Sequence, residues 1–130
     1  MGQQQLLLIV LGVIVVGIAV VVGINLFNAN AISANRDAVV SDLNNLGAMA
    51  QQYYKKPASM GGGANTFTGW TLPTGLDSTA NGTYNNPAPT VTPQSVTIIG
   101  IGTEKGNDKT TAVKATATVT PTAITVAVNN

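Results

Sequence analysis

From Leu6 to Ile24 the chain reads LLLIVLGVIVVGIAVVVGI, nineteen consecutive positions that are all apolar or glycine. Neither the alternation of a half-buried strand nor the stripe of an amphipathic helix can be read in such a run, so length has to decide. Strands are usually three to ten residues long, whereas a helix of this length extends about 28 Å and matches a bilayer core. Eleven of the positions are Val or Ile, which favour strand in water, but in lipid a helix satisfies every backbone group within its own segment. A removable secretory signal would open with basic residues and carry a shorter apolar core. Met1 to Gln5 contain no Lys or Arg, and the expectation is a retained helix. It carries Leu6, Leu7, Leu8, Ile9, Val10, Leu11, Val13, Ile14, Val15, Val16, Ile18, Val20, Val21, Val22 and Ile24 on all its sides, a surface for lipid or for other apolar helices.

After Ile24 the pattern changes without a breaker, because the first proline is Pro57. Val39, Leu43, Leu46, Ala50 and Tyr53 follow one another by four, three, four and three, the spacing of one stripe of an amphipathic helix. Asp42, Asn45 and Gln52 lie off that stripe. Lys55 and Lys56 suit the negative end of a helix dipole, and Pro57 with Gly61 to Gly63 ends the element. One helix of about fifty residues, near 75 Å, is predicted. Gly12, Gly17 and Gly23 leave room for neighbouring backbones, yet their spacings of five and six miss the small-xxx-small stripe, so local flexibility and the general abundance of glycine in membrane helices explain them as well.

From Asn65 the composition turns to Thr, Gly, Pro, Asn and Val, with turn clusters between short β-prone runs. Val113, Ala115, Ala117 and Val119 alternate with polar positions, as do Ile124, Val126 and Val128, and these two runs flank Pro121 as a hairpin. Ser95 to Ile101 forms another strand with a loop from Gly102 to Asn107, and Phe67 to Leu72 supplies a shorter strand around Trp70. A sheet with one Thr-rich face needs a cover for its Val and Ile face, and the helix stripe is the long apolar surface at hand. The predicted fold is α+β: a long N-terminal helix with an apolar first half, its C-terminal half packed on a small antiparallel sheet. The regions are 1–27 for the apolar half, 28–57 for the amphipathic half and 58–130 for the Thr-rich head.

Composition sharpens this division. Of 130 residues 45% are hydrophobic and 8% charged, and no charged side chain precedes Arg36, while all seventeen threonines fall at Thr66 or later. A formal charge of +1 is too small to hold a polyanion, which argues against nucleic acid as a partner. Without His or Cys the chain lacks the commonest general base, thiolate chemistry, disulfides and the usual zinc ligands. The remaining acids, lysines and hydroxyls form no catalytic pairing, so neither an enzyme nor a cofactor is expected. Gly102 to Lys109 gathers oxygen ligands but lacks the alternating acidic spacing of a calcium loop, and a solvated hairpin loop is the simpler reading. Asn81-Gly82-Thr83 fits both an N-glycosylation acceptor and a turn. Tyr53, Tyr54, Phe67 and Trp70 read as core packing in preference to a binding patch.

The layout resembles the type IV pilin-like superfamily, which spans bacterial type IV pilins, pseudopilins and, more distantly, archaeal pilins. Leu6-Leu7-Leu8-Ile9-Val10 is similar to the family's leucine-rich start, and the Ala- and Asn-rich stretch from Asn28 to Asn35 leads into the amphipathic half. The resemblance implies a structural subunit of an extracellular filament, a homopolymer through its N-terminal helix that resides in the cytoplasmic membrane before assembly. It also implies an assembly machinery and a prepilin peptidase that cuts after a glycine, which points to processing between Gly2 and Gln3 or to Met1 as the first mature residue. In neither alignment does a glutamate stand near the start: with Met1 first, Gln5 takes its place, and a neutral amide cannot supply the ionic attraction of a carboxylate. The chain also lacks a proline midway along the helix and a cysteine pair in the head. The competing expectation is a single-span membrane protein with a small β-rich binding head that does not polymerise. Its support is that the basic residues all lie C-terminal to the apolar run.

Overall fold

The computed structural model describes residues 2–130; Met1, and with it the question of which residue leads the mature chain, lies outside them. A single helix, α1 (Gly2–Lys55), is followed by a 3-10 turn (Ala58–Met60) and six strands: β1 (Ser78–Thr79), β2 (Gly82–Thr83), β3 (Thr90–Thr92), β4 (Ser95–Lys105), β5 (Ala112–Val119) and β6 (Ile124–Val128). The fold is α+β, with a long N-terminal helix and an antiparallel sheet. By compactness the chain forms two units, Met1–Ala31 and Ile32–Asn130.

In the second unit the strands run in the order β1-β2-β4-β5-β6, and β3 lies on the same edge of β4 as β2, further toward the start of that strand. Along β4, Val96, Ile98 and Gly100 turn inward; along β5, Val113, Ala115, Ala117 and Val119 do so, in strict alternation with exposed or half-exposed neighbours. These inward positions meet Val39, Leu43, Leu46 and Ala50 of α1, all essentially without solvent contact, together with Phe67, Trp70 and Tyr84. Each fully buried Val, Leu or Phe side chain stabilises the unit by about 1.5–3 kcal/mol. Close approach of helix and sheet depends on small residues: a Cβ at Gly47 would stand 3.1 Å from Ile124 and Val119.

The loop after α1 folds back onto the helix end. Gly63, Ala64 and Asn65 donate backbone N–H groups to the carbonyls of Tyr53 (2.7 Å), Lys56 (3.0 Å) and Tyr54 (2.8 Å), which answers the acceptors a helix C-terminus leaves open. Ala64 and Asn65 take left-handed backbone conformations to do so. Tyr54 then stacks at a tilt on Phe67, with ring centroids 4.8 Å apart.

Three expectations from the sequence need correction. Phe67 to Leu72 is not a strand: Trp70 N–H donates to the Phe67 carbonyl in a tight turn, and both rings point into the core. The strand beginning at Ser95 does not stop at Ile101 but runs to Lys105 through an irregularity between Ile101 and Lys105, so the connecting loop lies later than Gly102 to Asn107, at 106–111. Finally, β1, β2 and β3 were not anticipated, being two or three residues each.

Candidate assembly surface

In the first unit the helix carries Leu6, Leu7, Leu8, Ile9, Val10, Leu11, Val13, Ile14, Val15, Val16, Ile18, Val20, Val21, Val22 and Ile24, each between 51% and 68% exposed. Leu26 and Phe27 continue the series at 60% and 74%. Scattered exposed Leu or Val residues are ordinary on proteins, but a contiguous cylinder of them is not stable in water. The helix is long and apolar enough to cross a membrane, and none of its most apolar stretch is buried by the chain itself. Gly12, Gly17 and Gly23 have nothing within 4 Å of where a Cβ would sit, so space within this chain does not require them. Gly2 and Gln3, at the start of α1, are exposed.

In the second unit, Val39, Leu43, Leu46 and Ala50 are buried and Tyr53 is half-buried, with its hydroxyl donating to the Thr68 carbonyl at 2.9 Å. Beside this apolar stripe lie two polar contacts that tie α1 to the sheet. Asn35 is buried, and its amide nitrogen donates to the Asn81 carbonyl (2.9 Å) and the Thr103 hydroxyl (3.2 Å). Its amide oxygen accepts the backbone N–H groups of Thr103 (3.1 Å) and Glu104 (3.3 Å). Those two N–H groups lie where β4 departs from its register with β5, so the side chain of Asn35 stands in for the missing strand partner. Gly102 makes this possible, since a Cβ there would collide with the Asn35 amide oxygen.

The second contact centres on Asp42. Its Oδ2 accepts hydrogen bonds from the Tyr84 hydroxyl (2.5 Å), the Thr79 hydroxyl (3.0 Å) and the Asn81 amide (3.2 Å). Burial pushes the carboxyl upward, but the three donors together outweigh it and hold Asp42 below the usual carboxylate value of 3.8. The phenol of Tyr84 is pushed well above its usual value by burial and by its bond to the carboxylate. Asp42 and Tyr84 also border a cavity of about 430 Å³ whose other walls include Leu46, Met49 and Leu76. Asn81 donates its side-chain amide to Asp42, so the acceptor nitrogen of the Asn81-Gly82-Thr83 pattern is engaged within the fold.

The loop between β4 and β5 has its own organiser. Asp108 accepts N–H bonds from Thr110 and Thr111 (both 3.0 Å), the Thr111 hydroxyl (2.6 Å) and the Asn130 amide (3.2 Å), and the Thr111 hydroxyl bond leads the causes that hold its carboxyl far below the usual range. These bonds describe an Asx turn, with the loop's carboxylate engaged by its own neighbours. Nearby, the Arg36 guanidinium donates to Asn107 at 2.8 Å, while its Nε is buried without a partner among the described residues. No group of three or more acidic residues that would hold a metal occurs among the described residues.

Set against known proteins, the chain matches no family model, no curated protein and no solved structure.

Proposed function

We propose that the chain is the structural subunit of a helical surface filament, held in the membrane before assembly and polymerised through Leu6–Ile24. The observation that carries this reading is the apolar cylinder: fifteen Leu, Val and Ile residues, all more than half exposed and facing every direction. Lipid covers such a surface in storage, and copies of the same helix cover it in a polymer. Burial from water is worth about 25 cal/mol per Å² of apolar area. Lipid tails are as apolar as Leu, so helices leaving the membrane gain from packing and much less from the hydrophobic effect, and assembly calls for a machine. In this role the chain does no catalysis, and the head stays soluble through Thr and Asn with few ions.

A second reading, a single-span membrane protein whose head binds a partner, draws support from the cavity beside Asp42 and Tyr84. Shearing cells without detergent and imaging the released material separates the two. Pelletable filaments made of this polypeptide support the polymer; recovery solely from detergent-solubilised membranes supports the single-span protein.

A further inference from the structure

The sheet has unequal edges. At one side stand β1, with two residues, and β3, with three residues between Pro89 and Pro93, and short strands beside prolines are poor templates for another chain. The other side is β6, Ile124-Thr-Val-Ala-Val128, five residues without a charge, proline or glycine.

The direction in which the β6 backbone points follows from its register. Thr120 N–H donates to the Ala123 carbonyl at 2.8 Å and Asn129 N–H to the Lys114 carbonyl at 2.8 Å, so both ends of the β5–β6 ladder are hydrogen-bonded pairs. Between them the partners are Val119↔Ile124, Thr118↔Thr125, Ala117↔Val126, Thr116↔Ala127 and Ala115↔Val128. Hydrogen-bonded and open pairs alternate along an antiparallel ladder. Thr125 and Ala127 therefore bond to β5, and the N–H and C=O groups of Ile124, Val126 and Val128 point outward, where nothing among the described residues meets them. The side chains of these same three residues lie on the core-facing side of the sheet, and Val128 is 46% exposed there, a large apolar residue at the rim of an otherwise covered face.

We propose that β6 pairs antiparallel with β6 of a second copy of this chain, in a register centred on Val126. That register sets Val126 against Val126 and Ile124 against Val128, so each outward N–H meets an outward C=O on the other strand. It also sets Val128 beside Ile124 of the second copy on one continuous apolar face. A strand of mixed charge would repel itself or select a different partner, whereas this uncharged sequence is self-complementary about a two-fold axis. The contact concerns the unit Ile32–Asn130 and does not rest on the filament reading.

The chain has no cysteine, so introduced thiols report proximity directly. The register brings Thr125 opposite Ala127 of the second copy as an open pair, with Cα atoms about 4.5 Å apart, within reach of a disulfide. Full-length chains carrying Thr125→Cys and Ala127→Cys, mixed in detergent micelles and mildly oxidised, are expected to give the mixed dimer. Thr118→Cys, exposed on the interior strand β5, is expected to give almost none. Adding Val126→Pro to both chains removes an N–H that β5 does not use, so the strand content seen by circular dichroism persists and the mixed dimer is lost. Should that proline variant unfold, the comparison of cysteine positions decides alone. Equal crosslinking at Thr118 and at the Thr125/Ala127 pair, as association through the apolar helix alone would produce, overturns the proposal, as does a mixed dimer that survives Val126→Pro in the folded chain.

Discussion

Leu6–Ile24 and Val39–Tyr53 belong to the same helix, yet they stand in opposite relations to their own chain. In the first stretch, Val15 is 56% exposed and its neighbours are similar; in the second, Val39, Leu43 and Ala50 have no exposure at all. Helix formation is thus common to both, and the distribution of polar residues separates them. Asp42, Asn45 and Gln52 leave one face of the later stretch for solvent, and the remaining face is covered by β4 and β5. The earlier stretch has no polar face, and among the described residues nothing buries its most apolar part.

The largest test of that contrast is a charge in the uncovered stretch. Val15→Asp is expected to abolish filaments and to impair membrane insertion, because an acid at the centre of a membrane helix costs about 2.5–3.5 kcal/mol on insertion scales. The thermal unfolding of the head in the same variant is expected to stay unchanged; imaging of sheared material and membrane fractionation read the first effects, and circular dichroism melts in micelles the second. Next comes dissection: a fragment beginning at Ile32 is expected to be soluble and cooperatively folded, whereas one beginning at Ala58 loses Val39, Leu43, Leu46 and Ala50 from its core and is expected to aggregate. Size-exclusion chromatography and thermal melts distinguish the outcomes.

A smaller effect is expected from Asn35→Ala. It strips the Thr103 and Glu104 N–H groups and the Asn81 carbonyl of their partner, and an unsatisfied buried group costs about 1–3 kcal/mol. Denaturant unfolding should register that loss with little change in filament yield. The smallest effect is on pH dependence. Asp42 has a lowered folded pKa, so its contribution is present above the unfolded value of 3.8 and lost as pH falls through the folded one. Tyr84 has a raised folded pKa, so its contribution is present below the unfolded value of 10.0 and lost as pH rises toward the folded one. Head stability is expected to be level between these limits and to fall outside them, and Asp42→Asn should make the acid-side loss shallower, leaving the part that Asp108, also held low, contributes.

The parts of this molecule that could be read from sequence are those whose signal repeats. The 3.6-residue stripe from Val39 to Ala50 and the alternation through β5 and β6 each extend over several turns or residue pairs, so single exceptions do not hide them. By contrast β1 and β2 have two residues each, too few for any period. The extension of β4 past Ile101 was concealed by Gly-Thr-Glu-Lys-Gly, which has the composition of a turn; the strand persists because Asn35, 68 positions from Thr103, fills the irregularity. The Asp42 contact was equally hidden, since its donors lie 37 to 42 positions away and no local spacing links them. Aromatic content was a better guide: Phe67 and Trp70 are in the core, although the segment between them is a turn.

In the filament proposed above, other copies cover Leu6–Ile24 on every side. Single cysteines placed in turn from Leu11 to Ile18, in a chain with no thiol of its own, can be challenged with a charged, membrane-impermeant thiol reagent in filaments sheared without detergent. Protection at every position around the helix is the predicted result. A reactive face recurring every three to four residues, or no detergent-free particles from the unsubstituted chain, would rule out burial of this helix among its own copies.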